Sequence, residues 1–223
     1  MENPGAAARL AEITARIDKA AARFGPPPDE VRLVAVSKTF PAEAIVPLLE
    51  AGQRRFGENR VQEAAAKWPG LRENYDGIEL HLIGPLQTNK VREAVALFDV
   101  IETLDRDRLA VALAAEMQKQ NRHLPCFVQV NIGGEAQKSG IGIDEVLDFV
   151  ARCRDTHGLD VVGLMCIPPA DQPPGPYFAH LASLAAKAGL KYLSMGMSAD
   201  FETAIAMGAT HVRIGSALFG VRS

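Results

Sequence analysis

Lys38 is the residue whose place in the sequence most directly suggests chemistry. It lies just beyond a largely apolar run, residues 31–36, of the kind found in strands that are buried on both faces. The amine at the end of such a strand either extends outward into solvent or stays in a desolvated pocket. A desolvated lysine loses its charge more readily and can form an imine with an aldehyde. Position alone leaves both interpretations open.

Two segments near the carboxyl terminus combine glycine and serine in a way that suits a phosphate group. One is residues 196–198, and the other begins at Gly215 and Ser216. Glycine lets the backbone approach an anion, Ser216 adds a hydroxyl, and free N–H groups at a helix start attract negative charge. Ser198 is also predicted to cap the following helix. Capping and tight turning explain each segment alone, but two such segments at neighbouring strand ends favour a phosphate site.

The remaining reactive side chains do not match other common sites. The three cysteines are 27 and 13 residues apart, which fits neither a disulfide framework nor paired zinc ligands, so we expect reduced thiols. The five histidines lack the spacing of metal ligands, and no metal site is predicted. His81 either points into the pocket or is a structural residue. Lys90 and Lys138 are expected to be solvated loop lysines, with accessory anion binding as the alternative.

The apolar runs of the sequence predict the framework that brings these residues together. Runs rich in Val and Ile alternate with amphipathic stretches and start 19 to 34 residues apart, the length of a strand, a loop and a helix. Both faces of the clearest runs are largely apolar, as in parallel strands covered on either side. The predicted strands are 31–38, 55–59, 79–84, 99–104, 126–132, 160–167, 192–196 and 211–215.

Eight β/α units predict a closed barrel in preference to an open doubly wound sheet. An open sheet of this length usually has fewer strands and a recognisable nucleotide loop, which the sequence lacks. The predicted fold class is α/β, a single (β/α)8 TIM barrel over residues 1–223. Residues 1–30 add an N-terminal helix, from about 6 to 24, and a proline-rich connection. Lys38 and the two glycine–serine segments then fall at carboxyl ends of strands, where barrels carry their functional groups.

Composition and charge exclude several classes of protein. The chain carries 24 Lys and Arg against 27 Asp and Glu, a net charge of −3, so it lacks a broad positive field for nucleic acid or anionic lipid. The longest apolar stretch, 161–170, reaches about half of the ~20 residues that a spanning helix needs. The start of the chain lacks the pattern of a secretory signal. We therefore expect a cytoplasmic protein without a nucleic-acid or membrane partner.

Seven short motifs, in order along the chain, carry a resemblance to a known family. They are VAVSKT at 34–39, FGENRVQE at 56–63, HLIGPLQTNK at 81–90, KSGI at 138–141, GLM at 163–165, LSMGMS at 193–198 and VRIGSALFG at 212–220. Together they resemble the YggS/PROSC family of pyridoxal 5′-phosphate (PLP) binding proteins, also called PLP homeostasis proteins. The resemblance spans nearly the whole chain. It implies a barrel similar to the N-terminal domain of alanine racemase.

The resemblance also implies roles for individual side chains. The implied cofactor-binding residues are Lys38, Asn59, Met197, Ser198, Arg213, Gly215 and Ser216. Lys38 would hold PLP as an imine, the two serines and Gly215 would bind the phosphate, and Arg213 would face the pyridine nitrogen. A guanidinium has no acceptor and stays charged, so it would disfavour protonation of the ring and weaken PLP as an electron sink.

Two departures from alanine racemase shape the expected function. That enzyme adds a β domain with a catalytic tyrosine, and we expect no such domain because this sequence ends at Ser223. Racemases also carry a tyrosine four residues beyond the PLP lysine, where this chain has Ala42. A two-base proton transfer therefore lacks an obvious second base, and no catalytic residue is assigned.

The sequence thus predicts a non-catalytic PLP-binding protein that takes part in intracellular PLP and amino-acid homeostasis. PLP-dependent apo-enzymes are candidate recipients of the cofactor, and the oligomeric state stays open, a monomer included. One alternative is a PLP-dependent amino-acid racemase of low activity. Another is a Schiff-base aldolase or isomerase that acts on a phosphorylated sugar without PLP, since Lys38 and the phosphate segments suffice for that chemistry.

Overall fold

A closed barrel of parallel strands forms the centre of the molecule. The computed structural model describes residues 5–220, and within that range eight strands pair in chain order, β1 with β2 and so on round to β8 with β1. The strands are β1 Arg32–Val36, β2 Arg55–Glu58, β3 Glu79–Leu82, β4 Val100–Leu104, β5 Cys126–Val130, β6 Val161–Cys166, β7 Tyr192–Ser194 and β8 His211–Ile214. The predicted (β/α)8 barrel is confirmed, with every strand inside its predicted range.

Helices surround the barrel and follow the strands. They are α1 Ala6–Phe24, α2 Ala42–Glu50, α3 Val61–Arg72, α4 Val91–Leu97, α5 Asp107–Gln120, α6 Val146–Ala151, α7 Gly175–Lys187, α8 Phe201–Ala206 and α9 Ser216–Phe219. The main apolar core lies between the outer face of the strands and these helices, where Trp68, Phe149 and Phe178 are fully buried. No helix within residues 5–220 has the length and apolar content needed to cross a membrane.

The additional N-terminal helix has the predicted bounds. In α1 the apolar side chains recur every three or four residues, so Leu10, Ile13, Ile17 and Ala21 form one buried stripe. This stripe packs the helix mainly against α8 and α9 at one side of the barrel. Residues 1–4 and 221–223, which the domain prediction of 1–223 includes, lie outside the described residues.

Candidate functional site

A cavity opens at the carboxyl end of the barrel strands. It has a volume of about 590 Å³. The structure brings all of the predicted cofactor-binding residues into its lining, namely Lys38, Asn59, Met197, Ser198, Arg213, Gly215 and Ser216. Apolar side chains complete the wall, among them Val36, Ile83 and Ile167. One end of the barrel therefore combines an amine, a guanidinium, hydroxyls and apolar surface.

Lys38 lies in a tight turn directly after β1. The turn is closed by the Phe40 N–H, which donates to the Ser37 carbonyl over 3.1 Å. Thr39 has a φ of 67°, in the left-handed region that residues other than glycine seldom adopt. The backbone is thus held in an uncommon conformation next to the lysine that lines the cavity.

A buried polar cluster lies behind this turn, between the barrel and α3. Ser37 Oγ donates to Glu58 Oε1 over 2.6 Å, and Trp68 Nε1 donates to the same oxygen over 3.1 Å. The Lys67 ammonium lies 2.8 Å from that oxygen. Burial raises the pKa of Glu58 above its ordinary value, although hydrogen bonds from Lys67 and Ser37 oppose the shift. Sequence reasoning assigned no role to Glu58 or Lys67.

The two glycine–serine segments meet at the cavity wall. The Ser198 hydroxyl accepts a hydrogen bond from the Ala217 N–H over 3.4 Å, which joins the segment before α8 to α9. Gly215 packs against β1, where an added Cβ would lie 3.3 Å from the Val36 carbonyl oxygen and Cβ. The proximity of these segments fits the predicted phosphate site.

The predicted helix cap at Ser198 is wrong. Helix α8 begins at Phe201, and Asp200 occupies the N-cap position. The Asp200 carboxylate accepts the Met197 N–H over 2.6 Å. The chain first makes a turn at Gly196, whose φ is 93°, so the helix starts later than the prediction and leaves the Ser198 hydroxyl to contact α9.

A stacked pair of aromatic rings forms one edge of the site. The rings of Phe40 and Phe219 lie 4.5 Å apart between centroids, with planes 18° from parallel. Phe40 belongs to the turn that carries Lys38, whereas Phe219 is the last residue of α9. The stack therefore links the amine side of the cavity to the serine side.

Arg213 begins a buried row of side chains that runs down the barrel interior. Its guanidinium donates to Ser194 Oγ over 2.6 Å and to the Cys166 carbonyl over 2.8 Å. The Ser194 hydroxyl donates to Glu102 Oε2 over 2.6 Å. Glu102 Oε1 in turn lies 2.6 Å from His81 Nδ1. These contacts fix Arg213 from within the barrel, and sequence reasoning assigned no role to Glu102 or Ser194.

The row continues to the amino end of the barrel, where its charges alternate. His81 Nε2 lies 2.8 Å from Glu79 Oε1. Burial alone would lower the pKa of His81, but hydrogen bonds to Glu102 and Glu79 outweigh it and raise the pKa to about 9. Burial opposes ionisation of Glu102, yet the hydrogen bond and charge of His81 bring its pKa down to about 2. At neutral pH the row alternates in sign from Glu79 to Arg213.

The other predicted candidates lie away from the cavity lining. His81 is enclosed within the barrel and held by two carboxylates, which is the structural interpretation of this residue. Lys90 pairs with Glu93 over 3.1 Å on the surface. Lys138 pairs with Glu135 and donates to the Pro168 carbonyl over 3.0 Å.

Comparison with known proteins agrees with this architecture. The sequence model of the alanine racemase N-terminal domain family matches residues 8–223. The pyridoxal phosphate homeostasis protein of Escherichia coli K12 is 43% identical over 222 residues, which cover 96% of this chain and 95% of that protein. Its Vibrio cholerae counterpart is 41% identical over 224 residues, which cover 96% of this chain and 94% of that protein.

A solved structure gives the same result in three dimensions. PipY of Synechococcus elongatus, solved with PLP bound, superposes with a TM-score of 0.81 at 36% identity, covering 93% of this chain and 100% of that chain. These matches confirm the resemblance that the seven motifs carry. The chain belongs to the alanine racemase N-terminal domain family and, within it, to the pyridoxal phosphate homeostasis proteins.

Proposed function

We propose that this protein binds PLP in the cavity at the carboxyl end of the barrel and holds it through Lys38. The observation that carries the proposal is the convergence of Lys38, Arg213 and two serine-bearing segments on one cavity. The names of its relatives and the PLP-bound structure of PipY support it. The role follows: the protein holds PLP, releases it to PLP-dependent apo-enzymes in the cytoplasm, and so takes part in PLP and amino-acid homeostasis.

The residues present fit the chemical groups of PLP. Bound PLP supplies an aldehyde that condenses with an amine, releasing one water and leaving an imine. Lys38 provides that amine from a lining that also contains Ile83 and Val36, and this apolar surface suits the faces of an aromatic ring. In the same lining, Ser198 and Ser216 offer hydroxyl donors to the phosphate, and Gly215 lets the backbone come close.

Arg213 sets the electrostatics of the ring site. Its guanidinium carries donors and no acceptor, so it can donate a hydrogen bond to an unprotonated pyridine nitrogen but cannot accept one from a protonated pyridinium N–H. Ser194 and the Cys166 carbonyl hold it in place, and it is buried. A fixed cation there disfavours a second positive charge on the ring, which suits storage of the cofactor better than carbanion chemistry.

Covalent trapping tests the proposal. We expect borohydride reduction of the PLP-loaded protein to leave a stable pyridoxyl group, and peptide mass mapping to find it on Lys38. Lys38→Ala should abolish the label. Lys191→Ala is the matched control, because Lys191 lies over the Tyr192 ring at the amino end of the barrel. Label found mainly on another lysine would refute the assignment.

The delivery role needs its own experiment. PLP-loaded protein, freed of unbound cofactor, is mixed with a PLP-dependent apo-enzyme in the presence of a phosphatase that destroys free PLP. We expect the apo-enzyme to gain activity faster than with an equal amount of free PLP. Equal or slower activation would contradict delivery and leave storage alone.

A further inference from the structure

We propose that Lys67 is a positioning residue for Lys38: from the outer side of the barrel wall it fixes the turn at residues 37–40, and so governs how readily Lys38 reacts with the aldehyde. The inference rests on the proposed function, in which Lys38 captures PLP. It goes further by giving a role to a side chain on α3 that lies outside the cavity lining described above.

The Lys67 ammonium binds the backbone on both sides of Lys38. It donates to the Ser37 carbonyl over 2.9 Å and to the Phe40 carbonyl over 2.9 Å. These two carbonyls bracket Lys38 and Thr39, and the side chain of Lys67 is 8% exposed. A buried ammonium with two backbone acceptors fixes the turn far more firmly than a solvated surface lysine would.

Two carboxylates complete this set of contacts, which we call the Lys67 clasp and which consists of Lys67, Glu58 and Glu63. Glu58 Oε1 lies 2.8 Å and Glu63 Oε1 lies 3.2 Å from the Lys67 ammonium. Glu58 also accepts from the Ser37 hydroxyl, and Glu63 accepts from the Thr39 N–H. Ser37 and Thr39, the chain neighbours of Lys38, are thus each held by a carboxylate that Lys67 itself holds.

The conformation of the turn explains why the Lys67 clasp is needed to hold it. Thr39 lies in the left-handed region, with a φ of 67°, and a β-branched residue stays there only when its surroundings enforce it. Without Lys67 the turn can relax, and the amine of Lys38 moves relative to the aldehyde. Capture joins Lys38 Nζ to the aldehyde carbon and releases one water, and such reactions are sensitive to small displacements.

The test compares PLP with pyridoxine 5′-phosphate, which carries a hydroxymethyl group in place of the aldehyde. The variant is the double substitution Glu58→Gln with Lys67→Met, because removing Lys67 alone would leave a buried carboxylate without its cation. We expect the affinity for PLP and the rate of its covalent capture to fall roughly ten- to a hundredfold. The affinity for pyridoxine 5′-phosphate should stay unchanged, since that ligand forms no bond to Lys38.

Arg72→Met is the matched control. Arg72 is another cation of α3, and it also binds a backbone carbonyl, that of Leu97 over 2.9 Å, and a carboxylate, that of Asp99. It faces α4 and β4 instead of the Lys38 turn. We expect this variant to lower the thermal unfolding temperature and to leave the ratio of the two affinities at the wild-type value.

Each outcome separates the positioning role from the proposed function. An equal loss of affinity for both ligands, or no loss for either, would overturn the role of Lys67 while borohydride label on Lys38 still upholds the proposed function. Label on another lysine in the wild-type protein would overturn the proposed function first. If the double variant does not fold, Glu63→Ala decides, because it removes the acceptor of the Thr39 N–H at a partly exposed position. This variant should lower the rate of PLP capture and leave the affinity for pyridoxine 5′-phosphate unchanged.

Discussion

At the amino end of the barrel interior, polar side chains fill the space and bind one another, whereas at the carboxyl end they surround a cavity. Glu79, His81 and His211 border a small cavity of about 130 Å³ at the amino end. The carboxyl-end cavity is about 590 Å³ and is lined by groups that include Lys38 and Ser216. Polar residues in one interior therefore stabilise the fold where they pair, and can bind a ligand where the loops leave room.

Arg213 belongs to both regions. It lines the large cavity, and through Ser194 it is hydrogen bonded to Glu102 in the buried row. Because opposite charges alternate along this row, each ion is compensated by its neighbours. The binding site thus receives a fixed cation from a network whose other members are structural.

The largest expected effect comes from substitutions that alter only the cavity at the carboxyl end. Hydrogen bonds to a charged group contribute about 1.5 to 3 kcal/mol each. Removing the hydroxyls of Ser198 and Ser216 together should therefore weaken the binding free energy of PLP by about 3 to 6 kcal/mol. Pyridoxal, which has no phosphate, should lose little. Titration of both ligands measures this, with Ser183→Ala on the exposed face of α7 as control. Equal losses of affinity for both ligands would show that these segments do not bind the phosphate.

The next largest effect comes from removing Glu102, which connects the buried row at the amino end to Arg213 at the carboxyl end. Glu102→Ala leaves a protonated His81 and the guanidinium of Arg213 buried without their shared carboxylate. Breaking a buried charge network in this way typically costs about 3 to 5 kcal/mol, which urea unfolding measures. Glu93→Ala, at a surface pair with Lys90, should change stability by less than about 1 kcal/mol. A stable Glu102→Ala protein would show that the row is not structural.

Measuring stability as a function of pH tests the ion pairs at the amino end. His81 has a folded pKa of about 9 against an ordinary value of 6.5, so its stabilisation is fully present below pH 6.5 and is lost as the pH rises through 9. We expect the free energy of unfolding to fall by up to about 3 kcal/mol over that window. His81→Gln should flatten the curve, whereas His123→Gln, at an exposed position, should not. An unchanged slope in His81→Gln would assign the loss to other groups.

The smallest expected effect is the absence of amino-acid turnover. Among the described residues that line the cavity, no Tyr, His, Asp or Glu stands opposite Lys38 to act as a second base. We expect deuterium exchange and stereoinversion of alanine and serine in heavy water to run well below ordinary enzyme rates of ~1 s⁻¹. Turnover at that rate by the PLP-loaded protein would favour the racemase alternative.

The fold was accessible from the sequence because its signal is local. Runs such as residues 161–165, apolar on both faces, occur where strands are covered inside and outside, and their spacing leaves room for one helix each. Lys38 could be singled out for the same reason, since it ends such a run. The strands themselves are one to three residues shorter than predicted, at one end or both.

The contacts that hold the site were not accessible in the same way. Ser194 and Glu102 are 92 residues apart, and neither has a neighbour in the sequence that indicates the contact. Lys67 offered one local signal, its spacing of four residues from Glu63, but that pattern is typical of exposed helix pairs. The cap predicted at Ser198 failed because the turn at Gly196 delays the helix.

The stack of Phe40 on Phe219 bears on how long a ligand stays. It joins the turn of Lys38 to the helix that begins at Ser216, so separating these two walls breaks a contact worth about 0.5 to 1.5 kcal/mol. A contact that is lost on the way out and regained afterwards slows departure without changing equilibrium affinity. For a ligand that left by parting the two rings, residence time would therefore depend on this contact as well as on equilibrium affinity, and a protein that both stores and releases its ligand needs the two to be set separately.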